Sequence, residues 1–177
     1  MKFVSLDLEF NQQEVPKIIE IGLTIGDLSS RSILDTKSIL VNPEEGITEY
    51  ISTLTGITDY MVSSAPKIDE AYRIMKDYLD SHKVHRQPIV WGSGDVAMLK
   101  NAVNSPLDFP FGFTEMNVKT IVQAVLTSRN MATQGGLAKS MLKFGMRFNG
   151  KKHRAIDDSK NTMLLYFKLL DLLRKVG

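Results

Sequence analysis

The sequence contains no cysteine among its 177 residues. This absence excludes disulfides, thiolate nucleophiles and cysteine-ligated zinc, and it is compatible with a reducing compartment. No apolar run reaches the roughly 18 residues that a membrane span requires. The N-terminus carries one lysine and a short apolar run that Asp7 interrupts, unlike a signal peptide. We therefore expect a soluble, cytoplasmic protein that does not enter a membrane.

A strong excess of charge of one sign is also missing. Lys and Arg total 22 and Asp and Glu total 20, which gives a formal net charge of +2. That charge is too small to indicate a nucleic-acid binder by itself. Repeats, low-complexity tracts and linkers rich in proline or glycine are absent from the sequence, and its length corresponds to one domain of roughly 150 residues. We therefore predict one domain spanning residues 1–177.

Hydrophobic patterning predicts strands first and then alternating helices and strands. Apolar runs predict strands over residues 2–9, 18–25 and 32–41, and their short links favour an antiparallel meander. Helical spacing predicts helices over residues 69–79, 95–103, 119–127, 136–144 and 157–175, with further strands over 88–91 and 113–118. Gly145, and Gly177 after Arg174 and Lys175, are typical helix-end signals. This order predicts an α/β protein with a mixed five-stranded sheet flanked by helices.

Two carboxylates near the end of the first predicted strand form a candidate metal site. Asp7 and Glu9 stand two positions apart, so both point to one face of a strand while Leu6 and Leu8 point to the other. Like charges this close are unfavourable unless a proton or cation lies between them. Mg²⁺ prefers oxygen ligands of this kind. An acidic strand end in solvent has the same pattern, so both interpretations stay open from this motif alone.

A turn rich in glycine, residues 92–94, connects the predicted strand 88–91 to a helix that begins at Asp95. Glycine permits a tight turn and close approach of other groups. Local sequence favours Asp95 as an ordinary helix N-cap. The alternative is a third carboxylate at the carboxyl end of a strand, where open α/β sheets usually place their sites.

A basic stretch precedes the last candidate motif, with no acidic residue inside it. Its members are Lys139, Lys143, Arg147, Lys151, Lys152 and Arg154. His153 lies within the stretch, and Asp157 and Asp158 follow it. Cations that hold a polyanion, next to carboxylates that hold metal ions, suit a phosphodiester site. A solvated basic face followed by a helix N-cap gives the same pattern. His153 is either an ordinary loop histidine or a base, since the unperturbed pKa of histidine is about 6.5.

Together, the three motifs resemble those of the DEDDh 3′→5′ exonucleases, the superfamily of polymerase proofreading subunits and oligoribonuclease-like enzymes. The matching segments are residues 3–9, 91–95 and 153–158, the last with a histidine five positions before an aspartate. Segments 18–22 and 54–58 also resemble the family, and segment 136–162 is especially similar to the subgroup that trims RNA 3′ ends. The resemblance implies a ribonuclease H-like fold and hydrolysis of single-stranded RNA or DNA from the 3′ end to nucleoside 5′-monophosphates.

The resemblance also implies roles for individual residues. It implies that two Mg²⁺ or Mn²⁺ ions are held by Asp7, Glu9, Asp95 and Asp158. His153 is then the general base. The family spacing selects Asp158 over Asp157, which is expected to cap the final helix. Glu20 lies inside the second strand and outside the ligand motifs, so a structural role is expected for it.

Contacts with the substrate are less defined by the motifs. Many family members have threonine after the first-motif glutamate, whereas this chain has Phe10 followed by Asn11. Phe10 either stacks on a base or packs against the protein, and packing is favoured. Arg154, Lys151 and Lys152 are the candidates for phosphate contact.

Three functions are compatible with these motifs. The favoured one is an active exonuclease that works alone or as a homo-oligomer on single-stranded 3′ ends. The second is a catalytically idle ribonuclease H-like module that binds nucleic acid or a protein, which the presence of all five motif residues disfavours. The third is a proofreading subunit docked on a polymerase, which is disfavoured because no tail follows the last predicted helix.

Overall fold

The computed structural model of the chain describes residues 1–103, 109–112 and 114–174. Its strands are β1 (Lys2–Asn11), β2 (Lys17–Asp27), β3 (Ser32–Leu40), β4 (Ile89–Val90) and β5 (Met116–Asn117). Its helices are α1 (Glu49–Thr55), α2 (Asp59–Ser63), α3 (Ile68–His82), α4 (Asp95–Ala102), α5 (Val118–Ser128), α6 (Leu137–Lys143) and α7 (Ala155–Arg174).

The five strands form one mixed sheet in the order β3-β2-β1-β4-β5. β1 pairs antiparallel with β2, and β2 pairs antiparallel with β3, as the short links predict. β4 lies parallel to β1 on its other side, and β5 lies parallel to β4. The predicted α/β class with a mixed five-stranded sheet and flanking helices is therefore confirmed.

The short helices α1 and α2 are the elements that the sequence patterns did not predict. They have seven and five residues, too few for a helical hydrophobic period to stand out. Each begins after a threonine, Thr48 or Thr58, whose side chain accepts a hydrogen bond from the backbone of the first turn. Phe113, Lys175 and Gly177, which belonged to the predicted last strand and helix end, lie outside the described residues.

The sheet separates two hydrophobic clusters. Leu6 and Leu8 of β1 point to a cluster that includes α3 and α4, whereas Phe3 points to a cluster built from α5, α6 and α7. Because side chains alternate along a strand, Asp7 and Glu9 share the face of Phe3. The two acids therefore lie on the face that α7 covers.

Small side chains on β2 let α7 approach the sheet closely. Gly22, which pairs with Asp7 across the strands, is so near α7 that a Cβ there would overlap the backbone of Ala155 and Ile156. Further along the same face, the Thr24 hydroxyl lies 3.0 Å from the Ser159 hydroxyl, and both residues are buried. The beginning of α7 is thus brought beside Asp7.

Replacing Gly22 by alanine is expected to destabilise the protein by about 3 kcal/mol, the upper part of the usual range for overpacking. The added methyl group would meet backbone atoms of α7, which cannot move aside as a flexible side chain can. Chemical denaturation followed by circular dichroism measures the change. Gly46→Ala is the matched control, since a Cβ there makes only ordinary contact with Asp59. Equal stability of the two variants would contradict this account of the α7 contact.

No helix in the described ranges is long and apolar enough to cross a membrane.

Candidate metal centre

Three of the predicted metal ligands converge at one point. Carboxylate oxygens of Asp7, Glu9 and Asp158 all lie within 4.8 Å of one another, and each residue is partly buried. Asp7 and Glu9 come from the face of β1 that α7 covers, and Asp158 comes from the first turn of α7. Hard divalent cations take oxygen ligands in such clusters, so the donor set fits Mg²⁺ or Mn²⁺.

Burial and mutual repulsion hold protons on this cluster. Burial is the largest cause that raises the pKa of Glu9 to about 8, followed by the charges of Asp158, Glu20 and Asp95. The pKa of Asp7 is raised well above its usual value, again by burial first. A divalent cation would replace these protons and relieve the repulsion. The electrostatics therefore favour a cation between the three carboxylates.

Asp95 lies at the edge of the cluster, outside the group of three. Its charge is the second largest cause, after burial, that raises the pKa of Asp7. Its own pKa is raised to about 6, by burial first and then by the charge of Glu115. The expectation that Asp95 is a helix N-cap is wrong, because Gly94 occupies the N-cap and Asp95 is the first helical residue. The charge of the Asp95 carboxylate nevertheless acts on Asp7, so Asp95 remains a candidate fourth ligand.

Glu115 is an acidic neighbour of the site that no sequence motif indicated. It precedes β5, and the backbone N–H of Gly94 donates to its carboxylate, which offsets part of the rise in its pKa due to burial. A single glutamate before a two-residue strand carries no recognisable pattern. Only the packing of residues 114–117 against the turn before α4 reveals it.

His153 lies in the loop that leads into α7. Its backbone adopts a left-handed conformation with φ 61°, which is uncommon for a residue other than glycine. Its N–H donates to Asp158 Oδ2 at 2.8 Å, while its side chain is exposed. The same carboxylate thus belongs to the acidic cluster and fixes the backbone of the histidine. Strained backbone of this kind is often found where a functional side chain must be held in place.

Asp157 holds the loop rather than capping the helix. Its Oδ2 accepts from the backbone N–H of Lys151 at 2.9 Å, and its own N–H donates to the carbonyl of Arg154 inside the first turn of α7. One turn later, the side chain of Asn161 also holds this loop. Its oxygen accepts from the backbone N–H of Asn149, and its nitrogen donates to the carbonyl of Asn149. The expectation that Asp157 caps the final helix is therefore wrong, because its carboxylate bonds to a backbone N–H in the loop before α7.

Phe10 and Asn11 follow the acidic pair on β1. Phe10 is partly buried and packs against the cluster of α3 and α4, which confirms the favoured interpretation of packing. Asn11 is fully buried: its side-chain nitrogen donates to Glu45 and to the carbonyl of Gly46, and its oxygen accepts from the N–H of Thr48. These contacts attach the end of β1 to the segment before α1. Contact of either side chain with substrate stays a prediction.

The six basic residues of the stretch 139–154 do not form one uniform surface. Lys143 donates to the carbonyls of Ala132 and Gln134, and the Lys151 ammonium lies against Gly56 at the end of α1. The charge of Arg154 pairs with Glu20. Lys139, Arg147 and Lys152 are exposed. A phosphate contact by Lys151, Lys152 or Arg154 stays a prediction; Lys151 and Lys152 are exposed, whereas Arg154 is partly buried.

Comparison with known proteins assigns this fold and site to a family. A family model described as "Exonuclease" (RNase_T) matches residues 4–166. The chain belongs to this exonuclease family. All five motif residues, the four carboxylates and His153, lie within the matched range. The exonuclease family generally uses divalent metals, in agreement with the acidic cluster.

Curated relatives of this exonuclease chain include bacterial polymerases. DNA polymerase III PolC-type of Caldanaerobacter subterraneus subsp. tengcongensis is 29% identical over 165 residues, which cover 91% of this chain and 11% of the polymerase. The Staphylococcus aureus protein of the same name is 26% identical over 192 residues, which cover 99% of this chain and 12% of the polymerase. The chain thus spans only about a tenth of the length of these relatives.

Solved structures share its fold at low sequence identity. A 3′-exonuclease in a structure describing recognition of a histone mRNA stem-loop has a TM-score of 0.81 at 21% identity, covering 96% of this chain and 81% of that chain. The nuclease domain of a DEDDh family member bound to rAMP has a TM-score of 0.78 at 21% identity, covering 96% and 92%. These similarities show the ribonuclease H-like exonuclease fold.

Proposed function

We propose that this protein is a metal-dependent 3′→5′ exonuclease that releases nucleoside 5′-monophosphates from single-stranded nucleic acid. The observation that carries the proposal is the meeting of Asp7, Glu9 and Asp158 within 4.8 Å, beside the loop of His153. Such a group of partly buried carboxylates is unfavourable for folding by itself. Its presence is explained if the site holds cations that act on a phosphodiester.

Two Mg²⁺ or Mn²⁺ ions, held by Asp7, Glu9, Asp158 and Asp95, would supply Lewis-acid activation of water and stabilise the charge on the leaving oxygen. In the hydrolysis, a water oxygen bonds to phosphorus and the bond from phosphorus to the 3′ oxygen breaks. His153 accepts the proton of the water as general base. Its exposed side chain and its fixed backbone suit this role.

The acidic cluster needs a cation before a polyanion can approach it. Exposed basic residues of the stretch 139–154, such as Lys152 and Arg147, would then attract the phosphates of the strand. RNA is the favoured substrate from the similarity of segment 136–162 to enzymes that trim RNA 3′ ends. The two solved structures whose descriptions name a histone mRNA stem-loop and rAMP support this choice.

The test is an assay with single-stranded RNA and DNA of matched sequence, labelled once at the 3′ end and once at the 5′ end. With Mn²⁺, the 3′-labelled strand is expected to release labelled mononucleotide immediately, while the 5′-labelled strand shortens stepwise. EDTA is expected to stop both. Absence of release from either substrate with Mn²⁺ would refute the enzyme proposal. Immediate release from the 5′-labelled strand would refute the direction.

A second candidate function is exonucleolytic correction of DNA during synthesis. The observation that favours it is the match of 91–99% of this chain to PolC-type polymerases. The same assay with a DNA primer–template whose 3′ base is mismatched separates the two. Faster cleavage of the mismatched DNA end than of single-stranded RNA would favour this function over RNA trimming.

A further inference from the structure

Glu20 is a fully buried carboxylate on β2, and it is surrounded by donors. The guanidinium of Arg154 donates to it twice, from Nε at 2.9 Å to Oε2 and from Nη2 at 3.0 Å to Oε1. The backbone N–H of Ala155 donates to Oε2 at 3.0 Å, and the Ser38 hydroxyl donates to Oε1 at 2.6 Å. A buried charge is tolerated only with partners of this kind. Glu20 therefore has a complete set of partners inside the protein.

The pair of Glu20 and Arg154 also lies next to the metal centre. Glu20 is directly opposite Glu9 in the pairing of β1 with β2, on the face that α7 covers. The positive charge of Arg154 lies close enough to Glu9 to lower the pKa of that carboxyl, against the effect of Glu20. Without Arg154, Glu20 would be a further buried negative charge beside the acidic cluster with no ion-pair partner. The ion pair therefore offsets part of the effect of the Glu20 charge on Glu9.

Arg154 occupies the single position between His153 and the start of α7. The N–H groups of Asp157 and Asp158 both donate to the carbonyl of Arg154, so this residue begins the hydrogen bonding of the helix. On one side of Arg154, the N–H of His153 is bonded to Asp158. On the other side, the N–H of Ala155 is bonded to Glu20. Fixing the Arg154 side chain thus fixes the backbone that carries both the histidine and the aspartate.

We propose that Arg154 is a positioning residue, held by Glu20, that sets His153 and Asp158 against β1, and that it is not a phosphate ligand. The inference rests on the proposed function for its catalytic consequence. The structural part, that the pair fixes residues 153–158 on the sheet, holds independently of the reaction. Glu20 is then a positioning residue as well, acting through Arg154 and through the N–H of Ala155.

Arg154→Lys tests this role, because lysine keeps the charge but cannot make the paired hydrogen bonds. We expect kcat and Mn²⁺ affinity each to fall about 10-fold or more, as for other groups that orient metal ligands, while KM for a single-stranded oligonucleotide and its salt dependence stay unchanged. We also expect faster amide exchange at His153 and Ala155. Glu20→Gln should show the same pattern, since an amide cannot accept from both guanidinium nitrogens.

Two control variants separate positioning from phosphate contact and from general packing. Lys152→Ala removes an exposed charge in the same loop, and its expected effect is a higher KM with a weaker salt dependence. Ser38→Ala removes one hydrogen bond to Glu20 and leaves both bonds from Arg154 in place, so its decrease in kcat is expected to be much smaller than that of Arg154→Lys. If Glu20→Gln does not fold, as a melting curve would show, Arg154→Lys carries the test.

The inference is overturned if Arg154→Lys raises KM and weakens the salt dependence with kcat unchanged, because that is the result of a phosphate ligand. It is also overturned if Arg154→Lys leaves amide exchange and Mn²⁺ affinity at their wild-type values. An inactive wild-type protein would refute the proposed function alone, since amide exchange and Mn²⁺ binding still report on the position of residues 153–158.

Discussion

Asp7→Asn is expected to abolish metal-dependent cleavage, with a loss of about 10³-fold or more in kcat. Metal ions in such sites stabilise the transition state by several kcal/mol, and each 1.36 kcal/mol corresponds to a factor of ten. The charges of Asp95, Asp158 and Glu9 all raise the pKa of Asp7, and its carboxylate lies within 4.8 Å of those of Glu9 and Asp158. Asparagine keeps the size of the side chain and removes the charge. Mn²⁺ titration by calorimetry and the mononucleotide assay measure the two losses.

His153→Ala is the matched comparison for that variant. We expect it to lower kcat by about 10²–10⁴-fold, the usual contribution of a general base, while Mn²⁺ binding remains. Its side chain is exposed, and the hydrogen bond from its backbone N–H to Asp158 does not depend on the imidazole. The assignment of the site would be contradicted if His153→Ala lost Mn²⁺ binding. It would also be contradicted if Asp7→Asn kept both Mn²⁺ binding and full cleavage.

The metal-free protein is expected to lose stability as pH rises from about 5 to 8, by an amount on the order of a few kcal/mol. The pKa of Glu9 is about 8 in the folded protein, whereas its ordinary value, which applies to the unfolded chain, is 4.5. Between these values the folded protein binds more protons than the unfolded chain, so raising the pH favours unfolding. Asp158 and Asp95, both at about 6, act in the same direction over the lower half of this range.

Thermal unfolding in EDTA at a series of pH values measures this effect, and we expect the midpoint to fall by roughly 10 °C across the range. Mn²⁺ should restore the midpoint at pH 8 far more than at pH 5.5, since protons compete with the metal at low pH. Glu9→Gln is the control, because it removes the group that titrates near 8. A metal-free midpoint that rises with pH, or a Glu9→Gln variant with an unchanged slope, would contradict the prediction.

The sheet and its order of elements follow from local signals. Apolar runs of strand length and short links predict β1 to β3, and the change to helical spacing predicts α3 to α7. The helices α1 and α2 were not predicted, because five or seven residues do not establish a helical period. Their capping residues, Thr48 and Thr58, were visible in the sequence, but threonines before short polar segments are common and do not define helices by themselves.

The site shows the same division between local pattern and tertiary contact. Alternation along a strand suffices to place Asp7 and Glu9 on one face, and the family spacing distinguishes Asp158 from Asp157. Neither signal predicts that α7 packs against Gly22, and this contact places the helix beside Asp7. The acidic neighbour Glu115 and the N-cap at Gly94 likewise depend on how α4 and β5 meet.

The sequence by itself determined the class of fold, the motif residues and the chemistry that carboxylates and a histidine can perform. Its lack of cysteine excluded thiol chemistry and cysteine-ligated zinc from the start. Only the tertiary structure decided that Arg154, which looks like one more member of a basic stretch, is paired with the buried Glu20. The reason is physical. Net charge and local patterns show which charged residues the sequence contains, but not which of them form ion pairs. Arg154 and Glu20 are 134 residues apart, and they meet only because α7 packs on the sheet.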